Sequence, residues 1–299
     1  MSPSKPQPAA AAASTAPIRT LTGRARIAGV FGWPVTHSRS PRLHGFWLAK
    51  YGIDGAYLPF ATHPSALEAA IRALPSLGFR GANVTLPHKE PALAAMDEVT
   101  ARAQRIGAVN TIVIGENGLI HGDNTDGFGF LAHLKASAPK WRAAHGDAVV
   151  LGAGGAARAI VVALLDAGAP RVLLANRTER RAEDLARDIG GDIEVVGWAG
   201  RGAALKTAGL LVNTTQLGQA GQPPLEIDLK QLPPEAVVDD IVYVPMETPL
   251  LAAAKARGNR TVDGLGMLLH QARPGFAAWF GVEPEVTPEL RDFVLQDIP

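Results

Sequence analysis

Ala148-Val-Val-Leu151-Gly152-Ala-Gly154-Gly155-Ala-Ala157-Arg158, continued by the apolar run Ala159-Ile-Val-Val-Ala-Leu-Leu165, is the stretch that decides the fold. A β-branched strand enters a glycine-rich turn and leaves it as a helix reaching about Ala167. Small residues in such a turn allow it to be tight, let a pyrophosphate approach the backbone, and let helix pack closely on strand. Backbone N–H groups at the helix start then face the phosphates, and Gly152, Gly154, Gly155 and Ala156 are the candidate cofactor-binding residues of the loop. A glycine-rich turn alone is common; the strand before it and the apolar helix after it give this one its weight.

The next strand, Val172 to Ala175, leads to the second half of the reading. About 20 residues after such a glycine loop an NAD site carries an acidic residue for the ribose 2′-hydroxyl. Here the position reads Asn176-Arg177-Thr178, with Arg181 one helical turn beyond Arg177. A guanidinium offers a planar fork of donors to phosphate oxygens, so the expected cofactor is NADP, held at its 2′-phosphate. The competing reading is a solvated helix face in which Arg177, Arg180 and Arg181 balance Glu179, Glu183 and Asp184.

Outward from this core the chain alternates short β-branched runs with helical patterns, the signature of a mostly parallel α/β architecture. Upstream, strands are expected at Ile27 to Phe31, Ala56 to Ala61 and Phe79 to Thr85, with helices starting near Pro41 and Pro64. Asn110 to Ile114 and Leu119 to Gly122 flank Glu116-Asn117-Gly118 and read as a hairpin with a primed turn. Downstream, strands at Ile193 to Val196, Leu210 to Asn213 and Val237 to Val242 continue a doubly wound sheet. A final helix, Leu265 to Phe280, does not belong to that sheet and is expected to return to the first half.

The chain has 299 residues, enough for about two domains. Its 29 Lys plus Arg against 28 Asp plus Glu leave a charge of +1, which supports neither a nucleic-acid groove nor a polybasic membrane surface. The absence of cysteine excludes disulfides, thiolate metal sites and a cysteine nucleophile. The longest apolar run is far shorter than the roughly 18 to 20 residues that span a bilayer. A cytoplasmic protein is expected, with residues 1–22, rich in Pro, Ala and Ser, as a disordered tail.

Among dinucleotide enzymes, a Tyr-x-x-x-Lys acid is excluded, because Tyr51, Tyr57 and Tyr243 are followed four residues later by Gly55, Ala61 and Glu247. Eight scattered histidines without a His-Glu-x-x-His motif provide no obvious zinc site, so no metal is expected. Three polar clusters lie at expected strand ends, where open α/β sheets bind ligands. They are His37-Ser38-Arg39-Ser40-Pro41, Asn83-Val84-Thr85-Leu86-Pro87-His88-Lys89 and Gly122-Asp123-Asn124-Thr125-Asp126-Gly127.

Together with Gly107-Ala-Val-Asn110-Thr111, the glycine loop, Asn176-Arg177-Thr178 and Asp263-Gly264-Leu-Gly-Met267, these clusters resemble the shikimate dehydrogenase family from about Ile27 to Phe280. The resemblance implies two α/β domains, one binding substrate and one a Rossmann-type dinucleotide domain, with the active site in the cleft between them. Residues 23–126 with 264–299 would form the first and 127–263 the second. It implies NADPH-dependent reversible reduction of 3-dehydroshikimate to shikimate, a small-molecule substrate, with no nucleic acid or membrane partner.

By the same resemblance Lys89 is the catalytic lysine and Asp126 its partner; which of the two is the formal acid stays open. Ser38 and Ser40 would hold the substrate carboxylate, their hydroxyls facing one way if the segment is extended. Ser40 alternatively caps a helix beginning at Pro41. Asn83, Thr85, Asn110, Tyr243 and Gln271 match substrate-binding positions, although Tyr243 as core packing and Gln271 as a solvated helix position remain open. Thr215, Gly264 and Met267 match the nicotinamide side. Asp123, His37, His44, His88 and His121 are read as structural. Gly45 departs from the family pattern, which has a polar side chain there. A broader quinate/shikimate enzyme that also uses NAD, a dinucleotide sensor without turnover, and a homodimer all stay open.

Overall fold

The computed structural model describes residues 20–296. Two six-stranded sheets lie one after the other along the chain, each covered by helices on both faces. In the first half the order is β1 (Arg26–Gly32), α1 (Ser40–Lys50), β2 (Gly55–Ala61), α2 (Leu67–Ala73), β3 (Phe79–Val84), β4 (Glu98–Val99), α3 (Ala101–Ile106), β5 (Thr111–Ile114) and β6 (Ile120–Asp123). The sheet runs β2-β1-β3-β5-β6-β4. Its first three strands are parallel, and β5 runs antiparallel to both β3 and β6.

The second half contains α4 (Asp126–Ser137), β7 (Asp147–Leu151), α5 (Gly155–Asp166), β8 (Val172–Ala175), α6 (Glu179–Ile189), β9 (Ile193–Val196), β10 (Ala208–Asn213), β11 (Val237–Asp240), α7 (Pro249–Ala256) and β12 (Arg260–Val262). All six strands are parallel, in the order β9-β8-β7-β10-β11-β12, the doubly wound dinucleotide topology with its switch point between β7 and β10. The chain ends with α8 (Gly264–Phe280) and α9 (Pro288–Leu295).

Both faces of the second sheet are dry, which is why its strands read as continuous apolar runs. Alternation sends Val150, Leu174 and Val212 into the core under α5, and Val149, Leu173 and Leu211 into the core under α7. The first sheet packs Ala28 and Val30 against α1 and α8 on one face, and Phe31, Ala82 and Val84 against α2 and α3 on the other.

Helix α8 crosses back, as its apolar pattern predicts. Leu265, Leu269, Phe276, Trp279 and Phe280 fill the same cluster as Leu43 and Trp47, and Trp279 Nε1 donates to the Ile112 carbonyl at 2.8 Å. α4 and α8 run side by side, and Met267 packs into the core of the nucleotide half.

Several sequence expectations need correction. β11 stops at Asp240, because Asp240 turns its side chain back to accept from the Val242 amide at 3.1 Å. The β5–β6 connection is longer than a primed two-residue turn. Gly118 N donates to Gly115 O at 2.9 Å, so Glu116 and Asn117 occupy the turn's centre and Gly118 follows at φ 80°. Of the expected tail, residues 1–19 lie outside the described residues, and Thr22 is tied to Asp54 by a 2.5 Å hydroxyl–carboxylate bond. Among the described residues no helix is long and apolar enough to cross a membrane.

Candidate active site

The reversed strand β5 brings the polar clusters together. Because β5 is antiparallel to its neighbours, its amino end meets the carboxyl ends of β3 and β6: Thr111 pairs with both Asn83 and Asp123. Asn83, Asn110 and the segment leading to Asp126 are therefore adjacent, although up to 43 residues separate them. The loop after β3 adds Lys89, whose carbonyl accepts from Val109 N at 2.8 Å.

Lys89 Nζ donates to Asp126 Oδ2 at 2.5 Å, with the side chains only 15% and 5% exposed. The other carboxylate oxygen accepts from Asn110 Nδ2 at 2.8 Å, and the Asp126 amide donates to Asn124 Oδ1 at 3.1 Å. Asp126 opens α4, where a carboxylate complements the positive end of the helix dipole. Asn110 itself has no freedom to flip. Its Oδ1 accepts from Thr111 Oγ1 at 2.8 Å and Thr125 N at 2.9 Å, which leaves Nδ2 for Asp126 and, at 3.2 Å, Gln271 Oε1. Gln271 is thus buried in the site and does not lie on a solvated helix face. Asn83 Nδ2 donates to Asn110 O at 3.0 Å.

The serine segment is turned, so the extended arrangement in which both hydroxyls face one way does not hold. Arg39 is helical (φ −90°, ψ −5°) and is itself the N-cap position, so Ser40 is the first residue of α1, ahead of Pro41. Ser38 Oγ accepts from Ser40 N at 3.3 Å, a local side-chain-to-backbone turn. The Thr85 hydroxyl has no hydrogen-bond partner among the described residues, while its amide donates to Phe31 O at 2.9 Å. Tyr243 lies in the loop after β11 and packs on the core of the first half. Burial pushes its hydroxyl up in pKa, and the nearby Arg39 charge opposes this.

Across the cleft, Gly152 sits at φ 112°, and an added Cβ would be 2.5 Å from Thr214 Oγ1. An added Cβ on Gly154 would meet nothing, so the start of α5 opens onto free space, and no side chain caps it. Four helix-start N–H groups, those of Gly155 and Ala156 among them, lack intrahelical acceptors there. Asn176 Nδ2 donates to Thr178 O at 2.8 Å, fixing the turn before α6. Arg180 pairs with Glu183 and Asp184, whereas Arg177 and Arg181 are exposed and make no ion pair among the described residues. Balancing of the helix's acidic residues thus holds for Arg180 alone. An open phosphate cradle and two unpaired guanidinium groups fit a dinucleotide with a 2′-phosphate.

Thr215 is half-buried, with Oγ1 donating to Asn213 Oδ1 at 2.8 Å. Gly264 begins α8 with an added Cβ only 2.2 Å from Ile241 O, so no side chain fits there. Met267 is buried.

Residues 30–112 match the model of the shikimate dehydrogenase substrate binding domain, and residues 134–219 match that of shikimate / quinate 5-dehydrogenase. The shikimate dehydrogenase (NADP(+)) of Rhodospirillum rubrum is 62% identical over 279 residues, covering 92% of this chain and 99% of that one. The chain belongs to the shikimate dehydrogenase family.

Solved members share its shape. Shikimate 5-dehydrogenase from Thermus thermophilus, solved with NADP(H) and shikimate, is 39% identical with a TM-score of 0.80, covering 90% of this chain and 98% of that one. Quinate dehydrogenase from Corynebacterium glutamicum, solved with NAD, is 32% identical with a TM-score of 0.82, covering 91% and 99%.

In this family member three residues of the site escaped the sequence reading. Thr111 and Thr125 lock Asn110; their positions inside the quoted clusters were the available signal. Arg158 joins the two halves: its Nε donates to Ile106 O at 2.6 Å and its Nη2 to Asp188 Oδ2 at 3.1 Å. A lone cation at the start of an apolar helix was the sign. His44, His88 and Asp123 are structural in their contacts: His44 stacks on Tyr57, His88 Nε2 meets Thr62 O at 2.8 Å, and Asp123 accepts from Thr100 Oγ1 at 2.6 Å.

Proposed function

We propose that this protein catalyses the reversible NADPH-dependent reduction of 3-dehydroshikimate to shikimate, a step toward chorismate and the aromatic amino acids. The observation that carries this reading is the buried Lys89–Asp126 pair, fixed by Asn110 at the strand ends and facing the glycine loop. NADPH, when bound, supplies the hydride.

Reduction of a ketone leaves a developing alkoxide that needs a proton and a nearby positive charge. The Lys89 ammonium provides both: one of its hydrogens is committed to Asp126, and the others remain for the substrate oxygen. Asn110 holds the far carboxylate oxygen, so Asp126 keeps Lys89 in place and shares the proton with it. In a site screened from water this charge acts with little reorganisation.

Ser38 and Ser40 hold the substrate carboxylate at the start of α1, while Asn83, Thr85, Asn110, Tyr243 and Gln271 position its ring hydroxyls and carboxylate. The amides of Gly154, Gly155 and Ala156 would cradle the pyrophosphate, while Gly152, whose amide is bonded to Ala175 O at 2.8 Å, would serve by keeping the turn tight. Asn176, Arg177, Thr178 and Arg181 take the adenosine ribose and its 2′-phosphate, and Thr215, Gly264 and Met267 bound the nicotinamide side.

The test is NADPH formation from NADP+ and shikimate, run beside NADP+ with quinate and NAD+ with shikimate. Turnover in the first mixture far above the other two is expected. Comparable rates in all three would mark a broad quinate/shikimate dehydrogenase. Silence in all three, with NADPH still bound, would mark a sensor.

A further inference from the structure

Beneath the site lies a tyrosine that the reaction scheme does not use. Tyr57, on β2, is 6% exposed, and its ring stacks on His44 with centroids 3.9 Å apart and planes 7° apart. Neither ring nitrogen of His44 makes a hydrogen bond of normal geometry, although Asn83 lies beside it. The Tyr57 ring is also tilted against Trp279 at 6.0 Å. Packing thus fixes the ring on both sides, and its hydroxyl is the polar group delivered to the buried edge of the sheet.

That hydroxyl has one hydrogen-bond partner among the described residues: it donates to Asn83 Oδ1 at 2.6 Å. The polarity of the chain follows from its far end. The Asn110 carbonyl can only accept, so Asn83 must present Nδ2 to it, at 3.0 Å, and Oδ1 to Tyr57. Tyr57 must then donate to Asn83. Hydrogen bonds thus run from Tyr57 to Asn83 and from Asn83 to the Asn110 backbone carbonyl, while the Asn110 side chain holds Asp126, the partner of Lys89.

We propose that Tyr57 is a positioning residue that fixes the place and donor direction of Asn83, and so the site's hold on the ring hydroxyls of its substrate. It touches neither substrate nor cofactor and acts through that one side chain. This inference rests on the proposed shikimate activity.

Tyr57→Phe keeps the stacked ring and removes only the hydroxyl, so the fold is retained and the melting temperature is the control. The expected result is a rise in KM for shikimate of about tenfold, a kcat within about threefold of wild type, and an unchanged KM for NADP+. In an Asn83→Ala background, Tyr57→Phe is expected to add nearly nothing, because its route to the substrate is already cut. An unchanged shikimate KM in Tyr57→Phe, or effects that simply multiply in the double variant, overturns the inference while leaving the functional reading intact. A rise in the NADP+ KM equal to that for shikimate overturns it as well, since it marks a general structural effect. Failure of the wild-type protein to oxidise shikimate overturns the functional reading itself.

Discussion

The two walls of the cleft are built on opposite plans. On the substrate wall, Lys89, Asp126, Asn110, Asn83 and Gln271 are already bonded to one another, and four of the five are nine-tenths buried or more. On the cofactor wall the donors at the start of α5 and on two arginines are unspent, although the Gly152 amide is bonded to Ala175 O: Gly154 faces open space, α5 lacks a side-chain cap, and Arg177 and Arg181 stand exposed without an ion pair among the described residues. The first wall is preorganised by the chain's own bonds, which is what chemistry on a developing charge requires. The second reserves its donors for a ligand that brings the charge with it. Damage to the first should therefore appear in turnover, and damage to the second in affinity.

Four variants test that division, beginning with the strongest. Lys89→Ala is expected to lower kcat by roughly 10²- to 10⁴-fold with shikimate binding largely retained, measured by steady-state kinetics and calorimetric titration. Near-normal turnover would remove Lys89 from the chemistry.

On the opposite wall, Arg177→Ala combined with Arg181→Ala is expected to raise the KM for NADP+ by about 10- to 100-fold while use of NAD+ stays unchanged. Equal losses with both dinucleotides would contradict recognition of the 2′-phosphate.

The third concerns what lies behind the substrate wall. Burial lowers the pKa of His44 from 6.5 to about 3, so the folded protein keeps the ring neutral where the unfolded chain takes up a proton. Stability is then lost as pH falls from 6.5 toward 3, by about 2 kcal/mol at pH 5. His44→Phe is expected to flatten that part of the curve, read as the difference in urea midpoint between pH 7 and pH 5. Parallel curves for the two proteins would show that His44 is not responsible.

The smallest expected effect tests where the walls touch. An added Cβ on Gly155 would lie 3.3 Å from Lys89 Cβ and 3.4 Å from Cδ. Gly155→Ala is expected to lower kcat a few-fold with little change in the KM for NADP+, a cofactor-wall substitution with a substrate-wall effect. The reverse pattern would confine Gly155 to phosphate binding.

The same contrast explains how much could be read from the sequence. The cofactor wall is local: strand, glycine loop, helix and the Arg177 turn follow each other within about 30 residues, the span of one βαβ unit, and each has its own compositional signature. The substrate wall is assembled from distant segments, and only the order of β5 in the sheet brings Asn83, Asn110 and Asp126 together. The Asn117-Gly118 signal announces the β5–β6 hairpin, but nothing local places β5 beside β3. Their proximity was legible only through resemblance. The conformation of Ser38 to Ser40 was misread because one hydrogen bond, Ser38 Oγ to Ser40 N, outweighs the extended default. Short edge elements such as β4 and β12 carry too few residues for a period to show. Tyr57 was considered only as a proton donor and excluded, since its positioning contacts come entirely from other strands.

The return of α8 has a consequence for the order in which the molecule is made. Trp47 and Trp279 belong to one core, yet 232 residues of synthesis separate them. At ribosomal rates that interval is roughly 10 to 50 s, during which every strand of the nucleotide-binding sheet has emerged. The half written second can thus close its sheet first, lacking only the α8 contacts made through Met267, and the half written first waits with an open apolar face. Nascent chains ending at residue 263 should accordingly resist protease between 147 and 262 while β1 to β3 are still cut, and equal resistance of both halves would show that the first half closes without α8.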